Sequence, residues 1–151
     1  MIKIITVGKI KEKYLKDAID EYMKRLSKYN NINLIEIKDE GLVEEEKAKI
    51  IEGEKIIQHI SPKDYVITME ILGKMFDSLE FAKLIDNTMI ENSNLTFVIG
   101  GSYGLSEQVK KRSNLAISFS KMTFPHQLFR VLLLEQIYRA YKINNHESYH
   151  K

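Results

Sequence analysis

Gly100-Gly101-Ser102-Tyr103-Gly104 places three of the chain's seven glycines within five residues, directly after the apolar run Phe97-Val98-Ile99. A buried strand that ends in a glycine turn brings bare backbone to the carboxyl edge of a sheet, where open α/β proteins bind their ligands. The turn lacks the lysine-serine or lysine-threonine pair of a phosphate-cradling loop. It also fails the dinucleotide fingerprint, which should follow the first strand, whereas that strand is followed by Gly8-Lys9-Ile10. On its own, such a turn can equally serve backbone geometry alone.

Phe119-Ser120-Lys121-Met122-Thr123-Phe124-Pro125-His126 is a second candidate, a mixed apolar and polar loop whose main-chain groups are free to read a heterocycle. The plain alternative is a connector in which Thr123 caps a helix and His126 is merely packed. Arg130 stands on an otherwise apolar side of the following helix, while Arg139 belongs to a polar group with Glu135, Gln136 and Lys142. Either arginine could simply be ion-paired. His146-Glu147-Ser148-Tyr149-His150 formally has zinc-protease spacing, but it follows the helix-breaking Asn144-Asn145 and has no third ligand downstream, so no metal is expected. That tail can instead fold over a bound polyanion, or be a disordered terminus.

Strands alternating with helices must position these groups. Strands are predicted at Ile2 to Val7, Ile32 to Ile37, Tyr65 to Met69, Leu95 to Ile99 and Leu115 to Phe119. Helices are predicted at Lys13 to Lys28, Glu44 to Ile60, Ser78 to about Ile90, Ser106 to Arg112, and from Pro125 to about Ile143. Gly73 marks a turn in this reading, and Asp77 with Glu80 forms a capping box. The pattern predicts one α/β domain over residues 1–151, with a mostly parallel sheet covered by helices on both faces. The last helix is apolar around almost its whole circumference, so it must be buried on all sides. A homodimer interface is the expected cover, and a central core helix the alternative.

Composition bounds the rest: 44% apolar and 29% charged residues are ordinary for a globular protein, and the absence of cysteine excludes disulfides and thiolate metal sites. No apolar run is long enough to span a bilayer and the amino terminus lacks signal-peptide features, so a cytoplasmic location is expected. Residues 95–151 carry eight Lys and Arg against three acids, a net of +5, whereas residues 1–94 carry 15 against 18, a net of −3. This asymmetry reads as chance variation in solvated faces or as a carboxy-terminal third facing a polyanion.

Taken in order, Phe97 to Gly104, Ser118 to His126, Arg130, Glu135-Gln-Ile-Tyr-Arg-Ala-Tyr141 and Tyr149-His-Lys151 resemble the ribosomal RNA large subunit methyltransferase H family, small SPOUT-class enzymes. Val7-Gly8-Lys9 and the helix with Tyr14 and Glu21-Tyr22 extend the likeness over nearly the whole chain. Met69 stands where leucine is usual, and the Lys38 to Ile50 connection is short. The resemblance implies a homodimer with a carboxy-terminal trefoil knot, S-adenosylmethionine as cofactor, no metal, and methylation at N3 of a pseudouridine in 23S rRNA; the modest positive charge points to rRNA in assembled ribosomes as the partner. It places cofactor contacts on Met69, Gly100, Phe119, Ser120, Lys121, Met122, Thr123 and Phe124. His126 and Arg139 are the candidate catalytic residues, with Tyr149 and His150 closing over the RNA. The competing readings are a non-catalytic dimeric RNA-binding module and an enzyme that uses another adenine nucleotide.

Overall fold

A computed structural model describes residues 1–151. In chain order its elements are β1 (Ile2–Val7), α1 (Lys13–Leu26), β2 (Ile32–Ile37), α2 (Glu45–Gln58), β3 (Tyr65–Met75), α3 (Ser78–Glu91), β4 (Leu95–Ile99), α4 (Glu107–Arg112), β5 (Leu115–Ser118) and α5 (His126–Asn144). The strands form one five-stranded sheet in the order β2-β1-β4-β3-β5, and every pairing is parallel. All five carboxyl ends therefore share one edge, where the chain gathers its glycine turn and its long loops.

Central parallel strands are covered on both faces and so read as continuous apolar runs. Every residue of β4 is buried, and β1 is buried at all positions but Lys3. Side chains alternate across the sheet. Ile4, Phe97, Ile67 and Ile117 join Leu15, Ile19, Phe81, Ile85, Leu133 and Ile137 in one core beneath α1, α3 and α5. Ile5, Val7, Val66 and Val98 join Ile56 and Val109 in a smaller core beneath α2 and α4. Burying each such side chain stabilises the fold by roughly 1.5–3 kcal/mol. The predicted caps are present: Asp77 Oδ1 accepts from the Glu80 amide at 2.7 Å, Glu80 Oε1 accepts from the Asp77 amide at 2.8 Å, and Ser106 Oγ accepts from the Val109 amide at 3.3 Å.

The structure corrects the sequence reading at two places. Gly73 is not in a turn after β3; it lies inside an eleven-residue strand. Both Met69 and Lys74 pair with Ile117, so residues 70–73 form a bulge that leaves the ladder and returns to it. A Cβ on Gly73 would stand 2.7 Å from backbone atoms of Ala116 and Ile117, which shows that a glycine is required here for close approach of two strands. Second, Thr123 does not cap α5: Pro125 occupies the cap position and no side chain caps the helix.

The all-round apolar character of α5 is met in part within the chain itself. The helix packs against α3 on one side and α1 on the other, and Leu133, Leu134, Ile137, Tyr138 and Ala140 are buried. Among its large apolar side chains only Leu128 is exposed. Phe129, Val131, Leu132, Tyr141 and Ile143 are only half-buried.

Candidate active site

The glycine turn, the bulge of β3 and the loop after β5 enclose a cleft of about 450 Å³ at the carboxyl edge of the sheet. Its walls include Met69, Ile71 and Leu72 from β3, Gly100 to Leu105 after β4, and Phe119, Ser120, Met122, Thr123 and Phe124 after β5. His126, the first residue of α5, and Phe129 close it. Lys121 is exposed and does not line the cleft.

Local backbone geometry makes this shape. Gly101 and Gly104 pair across the tip of the turn in an isolated antiparallel bridge. A Cβ on Gly100 would approach the Gly104 carbonyl carbon to 2.9 Å, so the turn closes tightly only with glycine. The 119–124 loop is shaped by serines: Ser118 Oγ donates to the Ser120 carbonyl at 2.8 Å, and the Met122 amide donates to Ser120 Oγ at 3.0 Å. The other main-chain groups of Phe119 to Thr123 make no intrachain hydrogen bond, which leaves donors and acceptors free beside an aromatic wall. Phe119 packs on Phe129 with ring centroids 4.9 Å apart.

Arg139, Tyr149 and His150 meet at a second place, and what brings them together is Glu135. Arg139 grips this carboxylate with two prongs, Nε to Oε1 at 3.2 Å and Nη2 to Oε2 at 3.0 Å. The Tyr149 hydroxyl donates to Oε2 at 2.8 Å and Gln136 Nε2 to Oε1 at 3.1 Å. Arg139 Nη1 lies 3.0 Å from His150 Nδ1; since guanidinium only donates, His150 Nδ1 accepts and its proton sits on Nε2. The Arg139 guanidinium also lies 4.7 Å from the Tyr149 ring centroid. Hydrogen bonding to Glu135 raises the Arg139 pKa further. Burial first, and then the Glu135 carboxylate, push the Tyr149 phenol well above its ordinary value, so it stays a donor.

Glu135 is the residue that the sequence reading did not single out, although its i,i+4 spacing to Arg139 was visible. It lines a smaller hollow of about 380 Å³ together with Asp77, Ser78 and Phe81. Ile117, Phe119 and Phe124 line both this hollow and the main cleft. The loop after β5 is thus a partition with the cleft on one side and the Glu135 cluster on the other. His126 belongs to the cleft side, and so stands apart from Arg139. The tail at His146 to His150 follows the end of α5, with His146 at φ 57°, so its two histidines do not lie on a helix face. No group of three or more His, Cys, Asp or Glu side chains is arranged so that it could hold a metal ion.

A family model described as "Predicted SPOUT methyltransferase" matches residues 1–150. The chain belongs to the SPOUT methyltransferase family. It is accordingly a methyltransferase, and the carboxyl-edge cleft is the candidate site of that family's chemistry. Curated relatives carry the name "Ribosomal RNA large subunit methyltransferase H". One from Clostridium botulinum (strain Alaska E43 / Type E3) is 59% identical over 99% of both chains. Another from Clostridium acetobutylicum is 55% identical over the same shares. Among solved structures, a probable methylase family protein from Haemophilus influenzae Rd KW20 superposes with a TM-score of 0.57 at 12% identity, covering 99% of this chain and 70% of that one. At that identity the likeness is one of fold, and it bears out the α/β architecture of this SPOUT methyltransferase.

Proposed function

We propose that this protein transfers a methyl group from S-adenosylmethionine to N3 of a pseudouridine in the RNA of the large ribosomal subunit. The observation that carries the reading is adjacency: Phe119 and Phe124 line both the cleft and the hollow beside Glu135, so a donor held in the cleft would lie next to an acceptor held near Glu135. The relatives' names supply the substrate class.

The cleft suits an adenine-bearing ligand. Its volume lies within the roughly 300–1,000 Å³ of small-molecule sites, the unpaired main-chain groups of 119–124 match a heterocycle edge, and Phe119, Met122 and Phe124 offer faces to its ring. Bound there, S-adenosylmethionine supplies an electrophilic methyl on a cationic sulfur. The chain's residues then have to align an acceptor nitrogen with that methyl and exclude water. Methylation at N3 releases the imide proton, and His126, which lines the cleft, is our candidate to take it from a base that reaches into the cleft. Glu135 is already engaged by Arg139, Tyr149 and Gln136, so it orients rather than abstracts. Of the five N–H donors of Arg139, three are committed to Glu135 and His150, which leaves two for an anionic base or a phosphate. Tyr149 and His150 sit over that position and are read as RNA contacts.

In this reading the protein is a cytoplasmic homodimer with a knotted carboxy-terminal segment, as the family resemblance implies. Exposed Ile71, Leu72, Met75 and Met122 beside the cleft support a second copy there. No helix is long and apolar enough to cross a membrane. The decisive experiment incubates the purified protein and labelled cofactor with free rRNA, separate subunits and whole ribosomes from cells lacking this enzyme, then maps the modified nucleotide. Label at a pseudouridine N3 is expected; no label on any substrate would defeat the reading.

A further inference from the structure

We infer that the segment from Lys9 to Lys16 is a second RNA contact, an anchor for phosphates and one base that lies on the same rim as the cleft but outside it. This rests on the rRNA reading above and adds a place to it.

The amino-terminal 94 residues are acidic overall, yet residues 9–16 carry Lys9, Lys11, Lys13 and Lys16 against Glu12 alone, four minus one, a net of +3. All four lysines are exposed. Lys13 is paired with Asp17 at 2.6 Å, whereas Lys9, Lys11 and Lys16 have no carboxylate within ion-pair distance. In their midst Tyr14 is 69% exposed, an aromatic ring left in water at the start of a helix. Lysines there also work against the helix dipole, since the first turn of α1 has no acid and its N-cap makes no side-chain bond. Folding stability gives no reason for this choice of residues.

The segment is also held in place from beneath. Arg130, only 1% exposed, crosses from α5 to donate Nη2 to the carbonyls of Val7 at 2.9 Å and Gly8 at 2.6 Å. Its Nη1 pairs with Glu36 Oε2 at 2.8 Å, and the same oxygen accepts the Ile10 amide at 3.1 Å. The Arg130 Nε finds no partner at all, so this buried charge is retained despite a cost. The result is a fixed platform at the carboxyl end of β1, the strand beside β4 and its glycine turn. A Cβ on Gly101 would lie 2.9 Å from Val7 Cγ1, so the platform and the cleft wall are in contact.

Unpaired lysines around an exposed aromatic ring are the chemistry that holds a nucleic-acid backbone and stacks a base. RNA is favoured over a lipid surface because the buried neighbours Ile10, Leu15 and Ile19 face the core, and leave Tyr14 as the patch's one exposed apolar side chain.

The test compares wild type with three variants: Lys9, Lys11 and Lys16 all to Gln, the same three to Arg, and Tyr14→Ala. Each is titrated with large ribosomal subunits across a range of salt, and with S-adenosylmethionine by calorimetry. The Gln variant should show a log-affinity against log-salt slope shallower by about two to three, roughly one per lysine, and the Arg variant should restore it. Tyr14→Ala should bind subunits about fivefold or more weakly with the slope kept. Cofactor affinity should be the same in all four. Wild-type affinity and slope in the Gln variant, or loss of cofactor binding in it, overturns the anchor while leaving the rRNA reading intact. A wild type that binds and methylates no ribosomal particle removes both. Lysine-dependent binding to phosphatidylserine vesicles with none to subunits assigns the patch to a membrane and overturns it too.

Discussion

The Tyr149 hydroxyl donates to Glu135 Oε2 at 2.8 Å, which fixes the carboxy-terminal tail to the outer side of α5. The ring of Tyr149 meets Tyr138 edge-on at 5.0 Å, so packing and hydrogen bond act on the same residue. Tyr149→Phe keeps the packing and removes the bond. We expect a stability loss of about 1 kcal/mol and a clear fall in kcat on ribosomal particles, with unchanged cofactor affinity by calorimetry. Wild-type turnover would remove the tail from the site.

Arg139→Lys should fail almost as fully as Arg139→Ala, because an ammonium cannot make the two-pronged contact to Glu135 and still reach His150. Turnover measured at saturating cofactor should fall at least tenfold in both. A lysine variant with near-native kcat would show that charge alone suffices.

Gly73→Ala tests the bulge. The added methyl meets backbone at 2.7 Å, which no side-chain movement can relieve, so β5 must shift. A loss of about 2 kcal/mol or more is expected, seen in thermal melts, along with weaker S-adenosylmethionine binding because residues 70–72 line the cleft.

Glu52 carries a pH signature. It is 3% exposed, and burial raises its pKa above 4.5, although the Glu40 amide it accepts at 3.0 Å works in the opposite direction. A carboxyl whose folded pKa is raised supports the fold fully below its unfolded value, and that support is lost as pH rises through the folded value. Glu52→Gln keeps an acceptor for the Glu40 amide without the charge. The stability difference, variant minus wild type, should therefore grow as pH rises from about 4.5 towards neutrality, read from urea midpoints at successive pH. A flat difference would show that Glu52 does not titrate in this range.

Much of this could be seen in the residues themselves. Five strands and five helices follow from periodicity, and Asp77 with Glu80 announces a helix start by chemistry local to four residues. The cleft was legible because glycine turns and mixed loops at strand ends are local signals as well. What escaped is non-local. Gly73 looks like a breaker until β5, more than forty residues later, is laid beside it. Glu135 looks like half of a surface ion pair until the tail returns to it. That α1 and α3, distant in sequence, would pack against α5 was likewise not visible in its own residues.

That helix carries two obligations at once. Ile137 and Arg139 lie about 200° apart around its axis, one locked into the core and the other turned to Glu135 and the tail. A turn of α5 by a few degrees, forced by a larger or smaller side chain at Leu133 or Ile137, therefore swings Glu135 and Arg139 through an arc while leaving their chemistry untouched. Mutational drift in this protein's interior is thus felt as misalignment of the Glu135–Arg139 cluster, and compensating changes are to be sought as pairs across the helix rather than among neighbours in that cluster.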